Sequence, residues 1–253
     1  MVLGYFTFTG LVNKKREESK MSDLVATTKR LQTLLDGAGV ITIPAGEYLT
    51  GPLEVRSNTK LILEKGAVIK FISDPSIYEP VFSRWEGVKC YCMHPCLFIN
   101  EAHDVEITGE GVIDGNGSAW WAEVWRKKSV GQNAPESEIE KKFASLNPGY
   151  ETQPGGGGGR PCQFLRPSLI QIKDSYNVKL EGVTVQNSPF WTIHPVFSQD
   201  LVIKNVTVKR RNNRKNTHYI IHEGTEKHSL FSVPIIHRMG VDNPYIIYNP
   251  RFL

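Results

Sequence analysis

The chain is short of cysteine, of long apolar runs and of charge of one sign, and each shortage removes a class of protein. Four cysteines in 253 residues cannot staple a chain of this length, so a buried core rather than a disulfide framework must hold it. No apolar run reaches the roughly 18 residues of a membrane span, and no membrane partner is expected. Lys and Arg exceed Asp and Glu by only 30 to 26. That excess is local. Between Lys209 and Leu253 eight basic residues face three acidic ones, a net +5, which leaves −1 over residues 1–208. The body of the chain therefore has no basic face, and no nucleic-acid partner is expected. The segment Met1–Val12 is mildly apolar but lacks a basic start and a small-residue cleavage site. It reads as an ordinary N-terminus, which favours a cytoplasmic location.

What is present suits a globular core. Hydrophobic residues make up 40%, charged residues 22%, and there are 22 glycines, which excludes disorder, collagen and coiled coil for the whole chain. One helix stands out near the start. Ser22 can cap it, Leu24, Leu31, Leu34 and Leu35 supply an apolar stripe, and Gly37 can end it in a left-handed conformation. After Gly39 the period changes to two, and a repeat emerges. Leu61–Leu63 is followed by Ala67–Ile69, Val105–Ile107 by Gly111–Ile113, Val178–Leu180 by Val183–Val185, and Leu201–Ile203 by Val206–Val208. Each unit is two strands of about three residues around a short turn. The offset from Val178 to Leu201 is 23, and that from Leu61 to Val105 is 44, twice 22. A period in the low twenties with strands this short predicts a solenoid of parallel strands. The alternative is an ordinary α/β sheet, for which only one convincing helix precedes the repeats. An interruption from about residue 118 to 167 carries Trp120, Trp121 and Trp125, a charged helical piece from Glu136 to Phe143, and five glycines, Gly155–Gly159. It reads as an insertion between coils.

Several segments resemble the polygalacturonases of glycoside hydrolase family 28, in particular the exo-acting bacterial and plant-like branch. They are Ile43-Pro-Ala-Gly-Glu-Tyr-Leu-Thr-Gly51, Ser57-Asn58, Ser83-Arg-Trp-Glu-Gly87, Gly111-Val-Ile-Asp-Gly-Asn-Gly117 with Trp120-Trp121, Phe164-Leu-Arg-Pro167 and, most specific, Asn187-Ser-Pro-Phe-Trp-Thr-Ile-His-Pro195. They span about residues 27–208 in the family's order. The resemblance implies an all-β, right-handed parallel β-helix, incomplete at its C-terminal end, that binds galacturonan in an open cleft. It implies hydrolysis of α-1,4 galacturonosyl bonds of pectin with inversion and without cofactor or metal. That chemistry needs a general acid and a general base about 6.5–9.5 Å apart. The family supplies them from an Asn-Thr-Asp-Gly motif and a Gly-Asp-Asp motif about one coil later.

Here the chain departs from the family. Asn216 and Thr217 fall near the expected distance, but His218 and Tyr219 stand in place of Asp and Gly, and no Gly-Asp-Asp occurs between residue 210 and Leu253. The expected organisation is therefore coils over 1–208, with the inserted region, followed by a tail over 209–253. That tail is either a cap on the open solenoid or a frame-shifted segment that ends the chain before the catalytic aspartates. An uncovered solenoid end predicts self-association. No catalytic residue is assigned, and activity is expected to be weak or absent. The competing function is a non-catalytic β-helix that holds acidic oligosaccharides; a third reading makes His218 a substitute acid, for which no partner base is evident.

The substrate-binding candidates are His194, Asn216 and Arg166. His194 either faces the cleft or is satisfied by a turn carbonyl. Arg166, and Arg84 with Glu86, either contact a uronate carboxylate or tie loops to the coil as ion pairs. Phe190 and Trp191 either stack on sugar or belong to the core. Asp114, within Asp-Gly-Asn-Gly, reads as turn chemistry. Cys90, Cys92, His94 and Cys96 lack the spacing of paired zinc ligands, and no metal is assigned.

Overall fold

Segments with apolar residues on one face and a corner every few residues cannot bury that face alone, so they stack. The computed structural model describes residues 23–152 and 160–209 in full, and beyond them the backbone of strands at 220–222, 230–232, 235–236 and 246–248. A helix over 23–36, α1, precedes the first coil. That coil is β1 (Gly39–Ile43), β2 (Gly46–Thr50) and β3 (Leu53–Val55). The second begins with β4 (Thr59–Leu63) and β5 (Ala67–Phe71). It then leaves the solenoid for an antiparallel hairpin, β6 (Pro80–Trp85) and β7 (Val88–Met93), and closes with β8 (Leu97–Asn100). The third runs through β9 (His103–Gly109) and β10 (Val112–Asp114), then helices α2 (Ser118–Ser129) and α3 (Glu138–Leu146), to β11 (Ile170–Lys173). The fourth is β12 (Tyr176–Glu181), β13 (Thr184–Gln186) and β14 (Ile193–Val196). A fifth is β15 (Gln199–Lys204), β16 (Thr207–Lys209) and β17 (Ile220–His222). The segment expected as a tail also supplies β18 (Leu230–Ser232), β19 (Ile235–Ile236) and β20 (Ile246–Tyr248), each paired in parallel with the coil before it.

Corresponding strands form three parallel six-stranded sheets: β1-β4-β9-β12-β15-β18, β2-β5-β10-β13-β16-β19 and β3-β8-β11-β14-β17-β20. This is the right-handed parallel β-helix expected from the repeat and the resemblance. The 44-residue offset between Leu61 and Val105 hides no extra coil. Leu61 pairs directly with Ile107, and the surplus residues form the β6–β7 hairpin. Register puts like on like. Ile41, Leu61, Ile107, Leu180 and Ile203 stack along the first sheet, and Leu53, Leu97, Ile170 and Ile193 along the third. All belong to one buried cluster, each contributing about 1.5–3 kcal/mol.

The corners repeat as well. Asn58, Asp104, Asn177 and Asp200 lie in register at left-handed φ between 52° and 60°, a conformation that short polar side chains tolerate. Gly109 (φ 113°) is obligatory for a different reason, since a Cβ there would sit 2.1 Å from the Leu63 carbonyl oxygen.

Helix α1 covers the first coil. Leu24, Leu31 and Leu35 are buried as expected, but Leu34 is 47% exposed, because it lies a third of a turn from Leu35. Gly37 is not left-handed; Ala38 and Gly39 are. Ser22 lies outside the described residues. The Gln32 side chain substitutes for a missing strand: its Nε2 donates to the Glu54 carbonyl and its Oε1 accepts from the Glu54 N–H, both at 2.9 Å, so the sheet edge is not left open.

The insertion holds α2 and α3. The expected helix at Glu136 starts at Glu138 because Ser137 caps it, its Oγ accepting from the Glu140 N–H while the Glu140 carboxylate accepts from the Ser137 N–H. Helix α2 buries Trp120, Val124 and Lys127 along one face. The Lys127 ammonium lies 2.5 Å from Glu140, itself fully buried, and 3.3 Å from Glu123 and Glu136.

Candidate functional site

Alternation along a strand decides which residues can meet a ligand. On the third sheet Ile170, Ile172 and Ile193 enter the core, so Gln171, Lys173, His194 and Val196 point outward. Register aligns Glu54, Phe98, Gln171 and His194 in one outward row.

The β6–β7 hairpin lies over this row. Glu86 (φ 47°) and Gly87 (φ 85°) form its two-residue turn, the positive-φ pair that matches strand twist. Ser83 Oγ donates to Gln171 Oε1 at 2.8 Å, and the Gln171 amide nitrogen then donates to His194 Nδ1 at 2.7 Å. This arrangement leaves the imidazole proton on Nε2. Ser168 Oγ is 3.4 Å from the same Nδ1. His194 is fully buried. Its Nδ1 is met by side chains of this network.

Aromatic stacking fixes the hairpin. Trp85 stacks on Phe190 with centroids 4.8 Å apart, Phe190 on Trp191 at 4.5 Å, and Trp191 meets the His194 ring edge-on at 4.3 Å. With Leu165, Cys90 and Cys92 these rings form a second apolar cluster. Phe190 and Trp191 are thus packed and buried. From the far side, Asn147 at the end of α3 pairs with the β7 backbone, accepting from the Tyr91 N–H and donating to the Tyr91 carbonyl.

Arg166 lies beside this stack. Its Nη1 donates to the Pro189 carbonyl at 2.7 Å, and its guanidinium sits 4.9 Å from the Phe190 centroid. Its buried Nε makes no hydrogen bond. Burial pulls the guanidinium down to about 10 against the opposing effect of Glu86, so it stays charged at neutral pH. Arg84, buried, and Lys89, exposed, both approach the ring of Phe197.

Asp114 accepts hydrogen bonds from the Asn116 N–H, Gln186 Nε2 and Asn187 Nδ2. The bond from Asn116 is the local turn role anticipated for it; through Gln186 and Asn187 it also holds the start of the Asn187–Pro195 bend one coil on. Cys90 and Cys92, two residues apart, share one face of β7 and one cluster. Cys96 enters the main core, where burial pushes its thiol up to about 12. Among the described residues no group of three or more His, Cys, Asp or Glu is arranged to hold a metal ion, and no helix is long and apolar enough to cross a membrane. Asn216 and His218 lie outside the described residues.

The structure thus brings His194 to one end of an aromatic stack and Arg166 against its middle ring, Phe190, together with Ser83, Trp85, Gln171, Lys89 and Phe197, which the residue-by-residue reading missed. The signal for the hairpin was present in Glu86-Gly87 between two alternating segments. What it covered was not.

Residues 157–233 match the model of the glycosyl hydrolases family 28, a span that takes in Arg166, the Asn187–Pro195 bend and Asn216. A probable polygalacturonase of Vitis vinifera is 27% identical over 179 residues, covering 68% of this chain and 30% of the relative. An endo-polygalacturonase of Pectobacterium carotovorum subsp. carotovorum is 24% identical over 226 residues, covering 85% of this chain and 49% of the relative. Among solved structures, a hyperthermoactive exopolygalacturonase from Thermotoga maritima superposes with a TM-score of 0.56 at 31% identity, over 82% of this chain and 49% of the other. The chain spans between about a third and a half of the length of these relatives.

Proposed function

We propose that this chain, a relative of the family 28 polygalacturonases, binds the galacturonan of pectin along the outer face of its third sheet and hydrolyses it weakly or not at all. The observation that carries this reading is a contrast. The family match crosses the side of the third sheet where Arg166 and the Asn187–Pro195 bend lie, yet no Gly-Asp-Asp follows between residue 210 and Leu253. Inverting hydrolysis needs one carboxyl group to protonate the leaving oxygen and another to activate water from the opposite side. Within these 253 residues His218 stands where the family's first aspartate would.

Binding calls on different groups. Arg166, charged and only half-buried, suits a uronate carboxylate. His194, held by Gln171 and Ser83, acts behind it as a positioning residue through Trp191 and Phe190. Asn216, in the Asn-Thr pair that matches the family's motif, is the further polar contact in this reading. Any cleavage follows the inverting course.

The test is reducing-sugar release from polygalacturonate by the purified chain, with binding measured in the same preparation. Binding without new reducing ends is the expected result. Sustained release of product with inverted anomeric configuration would overturn it and send the search for carboxylates to Glu223, Glu226 and Asp242. The same contrast supports a second reading, a purely non-catalytic β-helix for acidic oligosaccharides. It differs from the first in allowing no release even at high enzyme concentration.

A further inference from the structure

We propose that Phe197 and Lys89 form a subsite for one acidic sugar ring at the end of β14, an inference that rests on the galacturonan reading above and states where one residue of the polymer sits. Three observations converge on it. Phe197 occupies a left-handed corner (φ 51°), in register with Asp174 (47°) and Glu101 (50°) on the two coils before it. The other left-handed non-glycine residues among those described are Ala, Asn, Asp, Glu or Gln. A bulky aromatic in that conformation is uncommon and strained, and such strain clusters where a side chain is used.

The ring, moreover, is not consumed by packing, since Phe197 stays 37% exposed. The third observation concerns charge. Arg84 Cζ and Lys89 Nζ each lie 5.2 Å from the Phe197 centroid. These two residues pair directly across the β6–β7 hairpin, a like-charge pairing that costs stability in a hairpin. Lys89 is exposed and forms no ion pair among the described residues.

An exposed aromatic ring beside a free ammonium fits a pyranose that offers a C–H face to the ring and a carboxylate to the charge. Lys89, a point charge on a flexible stem, exchanges its contact with the ring for the sugar's carboxylate. A neutral galactose polymer would gain the stacking alone.

The test is calorimetric titration of trigalacturonate, and of neutral galactotriose as control, into the wild-type chain, Lys89→Gln and Phe197→Asn. Asn is the residue that other left-handed corners of this solenoid use, so Phe197→Asn should melt no lower than wild type. Loss of one charge-assisted hydrogen bond should weaken trigalacturonate about tenfold in Lys89→Gln and leave galactotriose unchanged. Phe197→Asn should weaken both ligands. Trigalacturonate binding within about twofold of wild type in either variant overturns the subsite while leaving the galacturonan reading intact. A Phe197→Asn chain that melts several degrees lower also overturns it, because Phe197 would then serve packing. Failure of the wild type to bind trigalacturonate removes both proposals together.

Discussion

Replacing Asp114 tests whether the bend that carries the site is held by one carboxylate. Asp114 is 8% exposed. It accepts from the Asn116 N–H at 2.8 Å, from Gln186 Nε2 at 2.7 Å, and through both oxygens from Asn187 Nδ2 at 3.0 Å. A hydrogen bond to a charged group is worth about 1.5–3 kcal/mol. Members of one network do not add, and the released Gln186 and Asn187, both only half-buried, recover water, so the three donors count for less than their sum. Asp114→Ala should therefore cost about 3–4 kcal/mol. For a chain of this size each kcal/mol lowers Tm by about 2–4 °C, giving a fall of about 6–16 °C in a circular-dichroism melt. Asp114→Asn should fall between, because its new amide donor faces Gln186 and Asn187, which are donors already. Trigalacturonate affinity, measured well below the melt, should not change. A Tm shift under about 2 °C would refute the reasoning, as would loss of binding at an unchanged Tm.

Other perturbations address the rest of the molecule. Leu180→Ala opens a gap in the stack between Ile107 and Ile203 and should cost about 2–5 kcal/mol, read as a lower urea midpoint. A shift within error would mean that the coils do not share a core. Lys127→Met leaves the fully buried Glu140 without its cation and should cost about 3–5 kcal/mol; pairing it with Glu140→Leu should recover most of that. No recovery in the double variant would contradict the pairing. Hydrogen bonds from Arg126, opposed by slight burial, hold the Glu123 and Glu136 carboxyls below their usual range. Their folded pKa values are depressed, so their contribution is present above the unfolded value of about 4.3 and is lost as pH falls through the folded values. Fluorescence from Trp120, Trp121 and Trp125 on α2 should change over that acid window, and a flat signal there would count against the network.

Much of the fold was legible because a solenoid writes its period into the sequence. Val178–Leu180 and Leu201–Ile203 are neighbours in space at the distance their 23-residue offset implied, since nothing intervenes. Leu61 and Val105 misled for the opposite reason: the chain between β5 and β8 leaves the coil for an excursion that includes the β6–β7 hairpin, and an insertion about as long as a coil imitates a coil. Leu34 misled because a stripe read as i, i+3 and i+4 neighbours includes positions at the rim of the buried face. The site was legible only in part. Asp-Gly-Asn-Gly revealed the bond that Asp114 accepts from the Asn116 N–H because that one is local, but not the donors Gln186 and Asn187, which arrive from the next coil. The burial of His194 was not readable, because it depends on Ser83 and Trp85, about a hundred residues earlier, folding back over β14.

Hydrogen exchange with and without trigalacturonate tests most directly whether ligand meets the outer face of the third sheet. The account expects slowed exchange in peptides covering Pro80–Met93, 164–168 and 187–197, and no change along β4, β9 and β12 of the first sheet. Protection confined to the first or second sheet, or none at saturating ligand, would contradict it.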